Sequence, residues 1–597
     1  MSDYTQRLEQ LRVFMRSADL DAVVIYSTDP HFSEYPAARW KQVEWLCGFS
    51  GEAGDLAITL DDAGLWTDSR YFIQAERQLA GTGVSLHKSR IPGAQSIEDW
   101  LLKEIGEGAR VGVDSLCTSI ACFRALEENF ELAGIPDLLS PLWEDRPAIP
   151  QSPVYSINPG ESREEKLDWL RAILADKSCD YILLSELDQI AWLLNIRASD
   201  IEYNPLLISY LLVGQEDAKL YVLKDEYDDS LSEYSFEMLQ SEGVEVLPYE
   251  EVSLELLSLE GAKLWIDDSS LNAELYSTIH CEIYTAPSPI PERKAVKNPL
   301  EIENIKEAHI RDGAAMENFL YWLENKILSG EKISEWDAAC KLGEFRSQIE
   351  DYVEDSFETI SAYGPSAALP HYHTPSCDAP LLEPRGLYLN DSGGQFSSGT
   401  TDITRTIPLG ECSPEQRREY TLVLKAHIDL AAAIFPVGTP GCRIDAAARL
   451  PLWKYRLDFG HGTGHGVGYF LGVHEGPAQI RQNLGAAPLR KGMVSSIEPG
   501  IYREGLFGVR HENLYLVEDA GSSEFGDFLS FEALTMCHFD TSILELDLFE
   551  DWEIDWLNSY HQRVLDNVGP LLGEAELEWL QRKTAPVSKS NNTKNND

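Results

Sequence analysis

The sequence predicts an α/β (α+β) chain of three domains, two small related α/β units followed by a larger α+β one. Three observations predict it. Short apolar runs alternate with helical periodicity through residues 1–285. Two proline-rich stretches, RPAIPQSPVYSINPG (146–160) and TAPSPIPERKAVKNP (285–299), interrupt that alternation. Beyond the second, glycine-rich turns and two-residue alternation mix with long amphipathic helices. The expected domains are 1–150, 151–295 and 296–580, with 581–597 expected to be a disordered tail.

In the first domain, LEQLRVFM (8–15) and IEDWLLKEIG (97–106) have helical spacing. DAVVIYS (21–27), DLAITL (55–60) and GLWTDSRY (64–71) read as strands. The second domain repeats this alternation, since residues 161–196 hold a helix, the strand DYILLSE and a second helix. LISYLLV, KLYVLK and KLWIDD (263–268) add strands, which hints that the two domains are related. The third opens on a long amphipathic helix over 301–328. A second long helix is expected over 413–436, with Ser413 as N-cap and Pro414 at the first helical position.

Bulk properties narrow the function. The 99 acidic against 49 basic residues give a formal charge of −50, which repels phosphate backbones and anionic lipid. Nucleic acid and membrane are therefore not expected partners. The ten cysteines form no CxxC pair and read as reduced thiols. The start MSDYTQRLEQLRVFM lacks the basic and apolar regions of a signal peptide, and no long apolar run follows. A cytoplasmic protein is expected.

The chemistry gathers in the third domain. DFGHGTGHGVGYFLGVHEGP (458–477) sets His461, His465 and His474 among glycines. In GLYLNDSGGQFSSGTTDITRTIPL (386–409), Asp391 ends one strand and Asp402 opens the next, so a hairpin can join their carboxylates. Glu498 ends the strand in MVSSIEPGIY (493–502). FGVRHENLYLVED (507–519) reads as one strand, with Arg510, Glu512 and Leu514 on one face. Any one of these acids could be a turn cap or a surface residue. Four in apolar settings require a cation. An oxygen-rich set with one imidazole suits manganese, cobalt or iron, with zinc possible. Carboxylates able to bridge argue for two metals about 3.5–4 Å apart.

The ordered set DSGGQFSSGTTDITRT, HGTGHGVG, VHEGP, EPGIY and VRHEN resembles the pita-bread metallopeptidases, which include aminopeptidase P, prolidase and methionine aminopeptidase. The resemblance implies a creatinase-like pita-bread catalytic domain behind two creatinase-like domains. It implies metal ligands at Asp391, Asp402, His465, Glu498 and Glu512, with Asp402 and Glu512 bridging two divalent ions, manganese first among them. Length, the VHEGP ending, WTDSRYFIQA (66–75) and LDQIAWLLNIRASDIEYNPL (187–206) look like the long, three-domain, cytosolic aminopeptidase P. That group releases the N-terminal residue from peptides with proline second, using a hydroxide held by the dinuclear centre. By motif match His461 and His474 would hydrogen-bond substrate around the scissile bond, His371 would line the substrate pocket beside His465, and Arg70 would reach the substrate. Glu498 would shuttle the proton, and Arg510 with Tyr502 would steady the first aspartate. The glycines would let backbone approach metals and substrate. Ser496-Ile497 and His511 depart from the pattern, and His373 and His511 carry no family role.

Prolidase-type X-Pro dipeptidase and a non-catalytic pita-bread binding protein are the competing readings. Methionine aminopeptidases are far shorter. A homodimer is implied by the resemblance and by FEDWEIDWLNSYHQRVL (549–565), whose apolar helix face could instead pack on its own domain.

Overall fold

A computed structural model of the chain describes residues 3–223, 230–483, 485 and 487–589. It forms two compact units, Met1–Pro291 and Glu292–Asp597.

The first unit contains two six-stranded sheets of one topology. From edge to edge, one runs Ser85–Lys88, Ala63–Thr67, Asp55–Thr59, Ala22–Ile25, Arg110–Val113, Glu131–Gly134. The other runs Val244–Pro248, Ala218–Val222, Ser209–Gly214, Tyr181–Leu184, Lys263–Ile266, Glu282–Thr285. Ranked by chain order within each sheet, both read 4-3-2-1-5-6. The neighbour senses also agree: parallel, antiparallel, antiparallel, parallel, parallel. The relation hinted at by the repeated alternation is thus a shared strand order. A buried lock joins the two halves. His31 Nδ1 donates to Ser185 O (2.9 Å), which leaves Nε2 to accept from Tyr249 OH (2.8 Å). The expected strand 64–71 stops at Thr67, because Asp68 takes Arg70 N, Nε and Nη2 and turns the chain into the Phe72–Gln78 helix.

The second unit has a three-stranded antiparallel sheet, Ile360–Tyr363, Leu387–Ser392, Ile403–Pro408. Its larger sheet runs Phe435–Pro436, Gly526–Ala533, Asn513–Ser523, Val494–Ile497, Gly464–Gly466, Glu475–Ile480. Helices Pro299–Ser329, Pro414–Ala431 and Asp551–Val568 bury Met316, Phe319, Leu424, Ile428, Leu557 and Val564 in one core with Tyr388, Ile403 and Tyr515. Asn298 and Ser413 cap the first two helices, each in a reciprocal capping box. The second helix ends before 436, since Phe435–Pro436 pairs with Phe528 and Leu529 instead.

Three expectations change here. Residues 507–519 are not one strand. Phe507–Arg510 pairs with Gly500–Arg503, and Asn513–Ser523 joins the larger sheet. The break is held by Ile403–Pro408: Thr406 Oγ1 donates to Arg510 O (2.8 Å), and Arg405 Nη1 donates to Glu512 O (2.6 Å). Second, the apolar face of 549–565 turns inward. Ile554, Leu557, Tyr560, Val564 and Val568 are buried against their own unit, and Tyr560 OH donates to Cys537 O (2.8 Å). Of the large apolar residues in that segment, Trp552 stays exposed. Third, the Glu574–Lys583 helix passes residue 581, and Val587 N donates to Asn558 Oδ1 (2.9 Å). Of the expected tail, 590–597 lie outside the described residues. All ten cysteines are free thiols. Among the described residues no helix is long and apolar enough to cross a membrane.

Two long helices meet through paired acids. Burial, then the neighbouring Glu553 carboxyl, pushes Asp429 up to about 8. Glu553 is itself raised by burial, but the Asp429 proton and Lys425 outweigh this and bring it down. The folded pair thus holds a proton that the unfolded chain releases. A raised folded pKa gives stability that is complete at low pH and lost as pH rises through about 8. Asp429→Asn should flatten the fall in Tm between about pH 5 and 8, read by thermal melts of both proteins.

Candidate metal centre

Strand geometry brings the first acids together. In the antiparallel pair Leu387–Ser392 with Ile403–Pro408, Asp391 stands directly opposite Thr404. Opposed residues share a face, so Asp391 and Thr404 project to one side, and period two adds Asp402. Glu498 follows the end of the Val494–Ile497 strand, where its N–H donates to Thr463 O (2.8 Å). Glu512 fills the break between the two strands described above.

The protons on His465 can be assigned. Nδ1 lies 2.9 Å from Gly466 O, and a carbonyl only accepts. Nδ1 therefore carries the hydrogen, and Nε2 presents a lone pair. That Nε2 stands 3.5 Å from Asp402 Oδ2 and 3.5 Å from Glu498 Oε1. Asp402, His465 and Glu512 each offer a ligand atom within 4.8 Å of the others.

The carboxylates oppose one another. Burial raises Asp391; Arg510 offsets part of this and Asp402 adds to it. Burial raises Glu498 against the pull of His465 and Arg510. Glu512 is driven well above the carboxylate range by burial, then by Asp402, Glu498 and Asp391. Asp391 Oδ1 is buried with no hydrogen-bond partner. An orphaned buried carboxylate oxygen among three other acids is what a cation would satisfy, and the donor set fits a hard or borderline divalent pair. Among the described residues one further trio could hold a metal, Glu317, Cys537 and His538. There His538 N and Nδ1 both donate to Glu317 at 2.8 Å, which already closes the group.

Arg510 organises the outer side. Its guanidinium pairs closely with Asp391 Oδ2 and donates to Tyr502 OH (2.8 Å), Thr404 Oγ1 (3.1 Å) and Pro370 O (3.3 Å). His461 Nδ1 donates to Gly462 O (2.7 Å), so its Nε2 accepts from Tyr502 OH (2.8 Å). Burial, then Arg510, pushes His461 down to about 3, so the ring is neutral. Both of its nitrogens are engaged inside the protein. The ring stands beside Glu498, whose Oε2 is 4.0 Å from Nδ1. His474 packs edge-on against His465, ring centroids 4.4 Å apart. His371 follows Pro370, the Arg510 acceptor. Arg70 belongs to the first unit, in a two-point pair with Asp68. His511 is fully buried, edge-on to Tyr420 and Phe539, and is held well below the ordinary histidine range by burial.

A Cβ at Gly464 would stand 2.0 Å from Ser496 O, and one at Gly466 would stand 2.3 Å from Glu475 O. These two glycines permit close strand pairing around His465.

Sequence reasoning missed several supports. Buried Arg449 donates to Asp445 (2.7 Å), Asp458 (2.8 Å), Phe459 O (2.8 Å) and His461 O (2.9 Å). Asp445 accepts from Thr463 (2.6 Å), so the pair holds both sides of the His461 loop. Glu475, next to His474, pairs with buried Lys294 and Lys297. Thr404 lies between Arg510 and Glu512. Alternation in DITRT was the available signal for Thr404; an i,i+4 Asp–Arg pair in DAAAR was the signal for Arg449.

The profile of metallopeptidase family M24 matches residues 303–519, and that of the C-terminal region of this family matches 527–587. The creatinase/prolidase N-terminal domain matches twice, at 7–144 and 145–301. The probable Xaa-Pro aminopeptidase P of Laccaria bicolor is 39% identical over 98% of this chain and 94% of its own length. The chain belongs to metallopeptidase family M24. Within M24 it also aligns with aminopeptidase P1 of Arabidopsis thaliana, 37% identical over 98% of this chain and 99% of that one. A solved M24 structure is similar throughout: the X-prolyl aminopeptidase of Caenorhabditis elegans, described as a cytosolic enzyme with a di-nuclear active site. Its TM-score is 0.93 at 35% identity, covering 98% of this chain and 100% of that one. The M24 match contains all five converging acid and histidine positions.

The Arg449–Asp445 pair should be essential to the loop. Arg449→Met strands a buried carboxylate and should cost about 3 kcal/mol or more in urea unfolding. Adding Asp445→Asn should recover part of that loss, since the two residues are directly coupled.

Proposed function

We propose that the chain is a metal-dependent aminopeptidase that releases the N-terminal residue from peptides with proline second. The observation that carries this reading is the convergence of Asp391, Asp402, His465, Glu498 and Glu512 in an M24 chain that aligns along its whole length with Xaa-Pro aminopeptidases P. In this proposal those five residues hold two divalent ions, and the oxygen-rich set favours manganese. Such ions supply Lewis acidity to a carbonyl and make water a nucleophile near neutral pH.

The chain's own groups do the rest. The X-Pro bond is a tertiary amide without an N–H, so recognition must fall on its carbonyl and on the free amino end. His474, packed on His465, donates to the carbonyl oxygen as charge develops there. Glu498 has the most accessible side chain of Asp391, Asp402 and itself, 19% against 11% and 6%, so it carries a proton to the proline nitrogen. Arg510 favours the ionised form of Asp391 against its burial, and Tyr502 joins Arg510 to His461 by hydrogen bonds. By family likeness His371 lines the substrate pocket. By family likeness Arg70 is a further substrate-contact residue. Cytoplasmic location and a homodimer are proposed from family likeness as well.

Two measurements test this. Rates on Arg-Pro-Pro and Arg-Ala-Pro should differ strongly in favour of the first; comparable rates would remove the proposal. Faster cleavage of X-Pro dipeptides than of tripeptides would favour prolidase, and no turnover with intact metal would favour a binding protein. His465→Ala should lose metal by elemental analysis. His474→Ala should retain it and lose roughly a hundredfold or more in kcat. Retention by the first variant and loss by the second would overturn the ligand assignment.

A further inference from the structure

We infer that Thr404 is a positioning residue that fixes the Glu512 carboxylate for metal binding. The inference rests on the metal-centre reading above. A threonine hydroxyl has one hydrogen and accepts through its lone pairs. Arg510 Nε–H lies 3.1 Å from Thr404 Oγ1 and can only donate to it. The hydroxyl hydrogen is thereby directed to Glu512 Oε2, 2.7 Å away. Among the described residues no other side chain donates to this carboxylate.

Thr404 is itself immobile. It is fully buried, and its carbonyl accepts from Glu512 N (3.1 Å) and from Arg405 Nη1 (2.9 Å). A β-branched side chain on a strand has restricted χ1. Its strand partner is Asp391, and Asp391 is held by the same Arg510 that orients the threonine hydroxyl. One hydroxyl thus ties the Glu512 carboxylate to the arginine that holds Asp391. The two acids come from segments more than a hundred residues apart in the chain.

The test compares Thr404→Val with Thr404→Ser. Valine keeps the branched shape and removes both hydrogen bonds. Serine keeps the hydroxyl. Each metal-free protein is titrated with Mn(II) by calorimetry, with circular dichroism to confirm the fold. Thr404→Val should weaken at least one of the two sites by roughly 10- to 100-fold, the range for groups that orient metal ligands. Thr404→Ser should stay close to wild type, and excess Mn(II) should restore most of the Thr404→Val kcat. Wild-type affinity in Thr404→Val, or an equal loss in Thr404→Ser, would overturn the inference. Wild-type protein that binds no Mn(II) would instead bring down the metal-centre reading, and this inference with it.

Discussion

The second unit is organised around the repulsion among Asp391, Asp402, Glu498 and Glu512. Like charges about 4 Å apart at an effective dielectric near 20 repel by about 4 kcal/mol. Burial adds to that cost, and both effects push Asp391, Glu498 and Glu512 upward. A fold holds such a group together only with opposite charge nearby. The protein supplies one part in Arg510, buried and paired with Asp391. Among the described residues it places no guanidinium or ammonium against Glu512: the nearby Arg405 donates to backbone oxygens, Asn513 and Tyr560 instead.

Hydrogen bonding carries the same logic outward. Arg510 donates in several directions, and each acceptor passes a proton on or ends the chain: Thr404 to Glu512, and Tyr502 to His461 and thence to Gly462 O. His465 donates its own hydrogen backwards to Gly466 O. The consequence is that the inward atoms are acceptors: a buried Asp391 oxygen without a partner, the His465 Nε2 lone pair, and the oxygens of Asp402 and Glu512. A site lined by lone pairs from several sides selects a cation over any neutral donor.

Much of this was legible in the chain. The acids and histidines of the centre stand in local patterns, and the α/β character of 1–285 follows from strand-length apolar runs. What could not be read were relations across sequence distance. The matching strand order of the two N-terminal sheets lies in pairings, not in residues. The aromatic spacing of 549–565 announces an apolar face but not its partner, and the core of the same unit claims it. The bracing of His461 was hidden for a similar reason. Its motif neighbours say nothing of Tyr502, which arrives from 41 residues away and takes up the free nitrogen. The glycines were seen, but the crowding that Gly464 and Gly466 relieve comes from Ser496 and Glu475 on adjacent strands, which the local sequence does not show.

The broken strand at His511–Glu512 shows how backbone geometry divides roles between neighbours. In one unbroken strand Arg510 and Glu512 would face the same side, two residues apart, and the guanidinium would neutralise its own neighbour. The break assigns Arg510 to the short Gly500–Arg503 hairpin, within reach of Asp391, Tyr502 and Pro370. Glu512 is released toward Asp402 and His465. The junction is sealed at backbone groups that a break leaves open: Arg405 donates to Glu512 O, Thr406 donates to Arg510 O, and Glu512 N donates to Thr404 O. All three sealing residues belong to DITRT, the segment that also carries Asp402. One strand therefore provides an acid of the centre at one position and the supports for another a few residues on, which leaves Glu512 close to a positive charge but not paired with it.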